Sequence, residues 1–140
     1  MNEKMLNILL VEDDEIDVMT VKRAFLKNKI SNPLLLAANG IEALEMLRSG
    51  AVPPHNRIIL LDINMPRMDG IEFLRELRAD RDPALRATSV VVLTTSNEDR
   101  DRVHAYELNV AGYLLKPVMF LNFVEITATL NKYWTLMEFP

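Results

Sequence analysis

The amino-acid sequence predicts a doubly wound α/β domain, a parallel sheet of five strands with helices on both faces. Three observations carry that expectation. The 140 residues suit one compact domain and leave no room for a second folded module. Five short apolar runs punctuate the chain, each ending in polar or charged residues, as strands buried on both faces do. Between them, apolar residues recur at helical spacing. Strands that alternate with helices pair in parallel, because each helix supplies the crossover, and right-handed crossovers place helices on both faces.

The first run, Met5 to Val11, stops at Glu12-Asp13-Asp14. Asp14 is placed to cap the following helix and Asp17 adds negative charge to its first turn. Val18, Val21, Ala24 and Phe25 form its apolar stripe before Asn32-Pro33 ends the segment. Leu34 to Ala37 is the second strand. Asn39-Gly40 signals a turn, after which Ile41, Leu44 and Leu47 recur at helical spacing until Ser49-Gly50. Pro53-Pro54 keeps the chain extended towards the third run, Ile58 to Leu61, which halts at Asp62. Gly70 to Ala79 reads as a helix with Ile71, Leu74 and Leu77 on one face. Val90 to Leu93 is the fourth run and halts at Thr94-Thr95-Ser96. Glu98 to Leu108 is a further helix, Tyr113 to Leu115 the fifth strand ending at Lys116-Pro117, and Leu121 to about Leu136 the last helix.

Composition narrows the chemistry. Lys and Arg total 16 against 20 Asp and Glu, so the formal charge of -4 has the wrong sign for binding nucleic acid or an anionic membrane. The absence of cysteine removes disulfides, thiol nucleophiles and thiolate metal sites. His55 and His104 are far apart and read as solvent-facing, which disfavours an imidazole-rich zinc site. Any metal is therefore held by oxygen. The N-terminal apolar run is too short for a membrane span and lacks a small-residue cleavage site, so a cytoplasmic location is expected. The four glycines are too scattered to form a phosphate-cradling loop.

In doubly wound sheets, ligands bind outside the carboxyl ends of the strands. This chain keeps Glu12-Asp13, Asp62, Thr94 and Lys116 there. Two carboxylates about 4 Å apart repel by roughly 4 kcal/mol at an effective dielectric near 20, so a cation between them is favoured. Hard oxygen ligands select Mg2+, with Mn2+ as its alternative. Lys116 offers a fixed positive charge to a phosphoryl oxygen, or to Asp62 when no phosphate is present, and Thr94 offers a hydroxyl donor. Asp62, in the middle of the set, is the expected nucleophile of a phosphoryl transfer, whereas Glu12 and Asp13 suit metal and water.

Through LLVEDD at the first strand, LLDINMPRMDG around Asp62, VVVLTTS at the fourth strand and GYLLKP at the fifth, the chain resembles the receiver domain of two-component response regulators. The resemblance covers about residues 5–135. It implies a flavodoxin-like sheet of order 2-1-3-4-5 with five helices, and a role as a phosphoacceptor switch in place of an enzyme with turnover. It further implies that Asp62 accepts phosphate from the phosphohistidine of a sensor histidine kinase. Asp13, Asp62 and the Asn64 backbone carbonyl would ligate Mg2+, with Glu12 acting through water and Lys116 binding the acyl phosphate. Thr94 would swing towards the phosphoryl group and Tyr113 would turn inward, remodelling the face made by the fourth helix, fifth strand and fifth helix. The Lys116-Pro117 bond is expected to be cis. Asn64 and Ser96 flank the expected water path, and Thr95 adds bulk where many receivers carry Ala or Gly. All three are expected to tune the stability of the phosphate.

The chain end carries Tyr133, Trp134, Leu136, Met137 and Phe139, five apolar residues among the last eight. An ordinary helix folding back on its own core is one reading. The favoured one is an exposed aromatic extension over 133–140 that pairs with a second copy through Tyr133, Trp134 and Phe139. This end, the acidic Glu12-Asp13 pair and the PPHN loop before the third strand resemble stand-alone receivers that partner phytochrome-type histidine kinases. Residues 1–140 are thus expected to form one receiver domain. A phosphohydrolase of the haloacid dehalogenase group is the enzyme rival. That group places Asp-x-Asp at the first strand, whereas the nucleophile here follows the third strand and position 64 is Asn. A degenerate scaffold receiver is disfavoured because Asp13, Asp62, Thr94 and Lys116 are all present.

Overall fold

A computed structural model describes residues 5–140. Five strands, β1 (Asn7–Val11), β2 (Leu34–Ala37), β3 (Arg57–Leu61), β4 (Ser89–Thr94) and β5 (Gly112–Leu115), form one sheet of order β2-β1-β3-β4-β5. Every neighbouring pair is parallel, with Leu10 opposite Leu36 and Leu60, and Leu60 opposite Val91. The flavodoxin-like topology implied by the family resemblance is the one observed.

The two faces of the sheet bury alternate residues, as the period of a strand requires. Leu9, Val11, Ile59, Leu61, Val90 and Val92 pack with α2 (Gly40–Ser49), α3 (Gly70–Arg78) and Ala105 of α5 (Asp99–Glu107). Ile8, Leu10, Ile58, Leu60, Val91 and Leu93 pack with α1 (Glu15–Lys27) and α6 (Phe120–Leu136). Local chemistry sets the helix ends. The Asp14 carboxylate accepts from the Ile16 and Asp17 amides, and Asp69 and Glu72 form a reciprocal capping box at the start of α3.

Among the described residues six helices are present, against the five that the family resemblance implies. The additional α4 (Pro83–Arg86) is a single short turn in which Asp82 caps the Ala84 amide at 2.9 Å and Pro83 occupies the first helical position. Four residues are too few to show an apolar period, although Asp-Pro is itself a helix-start signal.

Two further expectations are corrected. No peptide bond among the described residues is cis, so Lys116-Pro117 is trans, the isomer that X-Pro bonds prefer by about 0.5–1 kcal/mol. Nor does the C-terminus form an exposed aromatic arm. Trp134 is 4% exposed and meets Phe25 of α1 edge to face at 6.2 Å. Its indole N–H donates to Asn131 Oδ1 at 2.9 Å, so the ring is buried with its polar end satisfied. Phe139 packs on the same cluster, and the Pro140 carbonyl accepts from the Asn56 amide at 2.9 Å. Of the three expected dimer contacts, Tyr133 alone stays exposed.

Trp134→Ala should accordingly destabilise the fold by about 3 kcal/mol or more, the cost of emptying a large aromatic site. Urea unfolding monitored by circular dichroism measures it. A loss below about 0.5 kcal/mol, typical of surface positions, would show that the ring is not core.

Candidate functional site

The ladder continues past the strands and gathers the polar residues at their carboxyl ends. The Glu12 amide donates to the Ala37 carbonyl at 3.0 Å, the Asp62 amide to the Val11 carbonyl at 3.0 Å, and the Lys116 amide to the Thr94 carbonyl at 2.8 Å. Residues distant in sequence thereby share one edge. Carboxylate oxygens of Glu12, Asp13 and Asp62 lie within 4.8 Å of one another. Glu12 and Asp62 are buried, and Asp13 is exposed. The start of α3 closes against this group. A Cβ on Gly70 would stand 2.7 Å from the Asp62 carbonyl oxygen and from Ile63 Cα, so only glycine permits the approach.

Asp62 Oδ1 accepts from the Thr94 hydroxyl at 2.7 Å and from the Asn64 amide at 3.3 Å. Thr94 is fully buried, and its oxygen in turn accepts from the Ser96 amide at 3.2 Å. The Lys116 ammonium lies 3.8 Å from Asp62 Oδ2, donates to Asp17 Oδ2 at 2.9 Å and contacts Glu12 Oε1. The expected direct pair with Asp62 is therefore the loosest of the three.

The remaining residues sit around this centre. The Asn64 side chain is exposed beside Asp69, Glu98 and Asp101. Thr95 is exposed and lines a cavity of about 350 Å³ with Thr20, Lys116 and Pro117. Ser96 is buried and its hydroxyl donates to the Asp101 carboxylate, while its carbonyl accepts from the Tyr113 hydroxyl at 2.9 Å. The Arg102 guanidinium stands 6.0 Å from the centroid of the Tyr113 ring. His55 is exposed and His104 half-buried, and neither reaches the site.

Charge is unbalanced here. Desolvation pushes the Glu12 carboxyl up to about 7, with the Asp62 charge adding to the rise and Lys116 opposing it. Burial works to lower the Lys116 ammonium. The hydrogen bonds to Glu12 and Asp17 and the charge of Asp62 outweigh it, and its pKa ends above the ordinary lysine value. Burial is thus the chief cause of the rise at Glu12, and the surrounding carboxylates are the cause of the rise at Lys116.

The donor set fits a hard divalent cation. It consists of carboxylate oxygens gathered within one ion's reach, and an added cation would offset both the burial of the Glu12 charge and the Asp62 repulsion that adds to it. Asp17, Asp101, Arg102 and Gly70 belong to this neighbourhood, and none was singled out from the sequence as a site residue. Asp17 had read as a first-turn helix charge. Its position one turn after Asp13 was the available signal for its place at this edge.

Comparison with known proteins places the chain. The family profile of the response regulator receiver domain matches residues 8–128. The probable methanogenesis regulatory protein FilR2 of Methanothrix harundinacea is 37% identical over 129 residues, covering 91% of this chain and 82% of the relative. The response regulator Rcp1 of Synechocystis is 33% identical over 130 residues, covering 91% and 87%. A Mn2+-bound crystal structure of Rcp1 superposes with a TM-score of 0.81 at 32% identity over 96% of this chain and 99% of that one. The phosphorylated cyanobacterial phytochrome response regulator RcpA superposes with a TM-score of 0.85 at 31% identity, covering 96% and 98%. With its sheet order and its sequence both matched over most of its length, the chain belongs to the response regulator receiver domain family.

Proposed function

We propose that this receiver is a single-domain response regulator that takes a phosphoryl group from a sensor histidine kinase onto Asp62. The step is Mg2+-dependent and switches a protein-interaction surface. The observation that carries this reading is the buried Asp62 carboxylate, hydrogen-bonded by Thr94 at 2.7 Å and flanked by an acidic pair and an ammonium. Asp13, Asp62 and the Asn64 backbone carbonyl would hold Mg2+, with Glu12 acting through water and Mn2+ as a substitute. The bound ion would supply positive charge to the phosphoryl oxygens.

An Asp62 carboxylate oxygen donates its electron pair to phosphorus. The P–N bond of the phosphohistidine breaks, its pair returns to the imidazole nitrogen, and that nitrogen takes a proton from solvent. Lys116 then meets the phosphoryl oxygens as a mobile point charge. Thr94, already turned towards Asp62, passes its hydroxyl proton bond to the phosphoryl group, and Tyr113 follows through the Ser96 carbonyl that it bonds. The added charge of roughly -1.5 to -2 shifts the α5–β5–α6 face, and catalysis is incidental to that switch. Asn64, Thr95 and Ser96 set how readily water reaches the phosphate.

Likeness to RcpA, a phytochrome response regulator, supports a phytochrome-type kinase as the phosphodonor. A second copy of the chain is the other partner in this reading. Tyr133, which lines a groove with Leu114 and Ile126 on the α6 side, supports it in place of Trp134 and Phe139. The acidic balance speaks against nucleic acid or membrane as partners. No described helix is long and apolar enough to cross a membrane, and a cytoplasmic location agrees with that.

Incubation with acetyl phosphate and Mg2+, followed by intact mass spectrometry, tests the acceptor. One phosphate is expected on the wild type and none on Asp62→Asn, whereas equal labelling of the variant would sink the assignment. The Glu12 environment yields a pH dependence. Its pKa is raised in the fold, so the metal-free protein keeps that contribution below about pH 4.5 and loses it as pH climbs through about 7. In chelator, the melting temperature of Glu12→Gln minus that of the wild type should therefore increase between about pH 5 and about pH 8. A flat difference would mean that Glu12 titrates normally.

A further inference from the structure

The phosphotransfer scheme gives Asp17 no part, yet its carboxylate holds the Lys116 ammonium more closely than Asp62 does. Asp17 stands in the first turn of α1, its side chain 37% exposed, with Oδ2 at 2.9 Å from Lys116 Nζ. The same ammonium contacts Glu12 and remains 3.8 Å from Asp62 Oδ2, beyond hydrogen-bond range. Three carboxylates compete for one cation, and the phosphoacceptor has the weakest hold. The lysine stem is flexible, and the cavity lined by Asp17, Thr20, Thr95 and Lys116 opens beside it.

We propose that Asp17 is a positioning residue that parks the Lys116 ammonium between α1 and β5 and so sets how readily it moves to a phosphoryl group on Asp62. This rests on Asp62 being the phosphoacceptor. When a phosphoryl group arrives, its charge draws the ammonium, but the contact with Asp17 has to be surrendered first. Part of the attraction is offset by that loss. Asp17 thereby lowers the affinity of the resting site for a phosphoryl-like anion and keeps the unphosphorylated state favoured until a donor of sufficient potential acts. The backbone amide of Asp17 bonds Asp14 Oδ1 independently of the side chain, so Asn at this position leaves the helix cap in place.

Beryllofluoride, a phosphoryl analogue, reports on this directly when titrated by 19F NMR at saturating Mg2+ into wild type, Asp17→Asn, Glu15→Gln and Asp62→Asn. Asp17→Asn is expected to bind about threefold to tenfold more tightly, the scale that partly exposed ion pairs reach. A merely structural role would weaken binding, so the direction of the change separates the two. Glu15→Gln removes the same charge from the same exposed turn and should stay within about twofold of wild type, as loosely coupled surface charges do. Unchanged or weaker binding by Asp17→Asn, or equal tightening by Glu15→Gln, overturns the positioning role. Binding by Asp62→Asn equal to that of the wild type overturns the phosphoacceptor reading instead.

Discussion

The Lys116 ammonium is shared between Glu12, Asp17 and, at 3.8 Å, Asp62, while Asp13 brings a further carboxylate oxygen to the same edge. Among the described residues no other cation touches these carboxylates. Burial raises Glu12 with the Asp62 charge adding to it, and the surrounding carboxylates raise Lys116 against its own burial. The donor set of such a site fits an added divalent ion. A phosphoryl group, itself anionic, is tolerated only where positive charge is brought to it. The proposed metal requirement and the proposed movement of Lys116 are two responses to one imbalance.

The fold makes the imbalance unavoidable. Parallel pairing sets every carboxyl end at one edge of the sheet, and the register continues past β1, β3 and β5 through single backbone hydrogen bonds. The backbones of Glu12, Asp62 and Lys116 cannot separate without breaking that ladder, whereas the Lys116 side chain stays free to move. On the far side of Asp62, the α3 start packs so closely that Gly70 has no room for a Cβ. That packing fixes the backbone at Asp62, and the carboxylate is oriented by the Thr94 hydroxyl and the Asn64 amide, the kind of preorganisation that phosphoryl transfer uses.

Much of this was legible in the sequence because it is encoded locally. Each strand is a run of apolar residues ending in a polar group, and Asp14 announced the start of α1 by its own chemistry. Glu12, Asp62, Thr94 and Lys116 were found together because a doubly wound topology converts strand ends into neighbours. The misreadings share the opposite cause. The fate of Trp134 depends on Phe25, more than a hundred residues away, and on the hydrogen bond its indole N–H donates to Asn131, which no periodicity discloses. The trans bond before Pro117 is a small energetic preference within one dipeptide, and α4 is too brief for its pattern to register. Asp17 carries two meanings, helix charge and partner of Lys116, and only the reach of Lys116 from the end of β5 to the first turn of α1 separates them.

The central claim is that the strand-end carboxylates form one divalent-cation site around Asp62. Calorimetric titration of Mg2+ into the full chain at about pH 8, where Glu12 is ionised, tests it most directly. One ion per chain is expected for the wild type, with affinity lowered about tenfold or more in Asp13→Asn. Folded wild type that takes up no Mg2+, or an Asp13→Asn variant that binds it equally well, would contradict the claim.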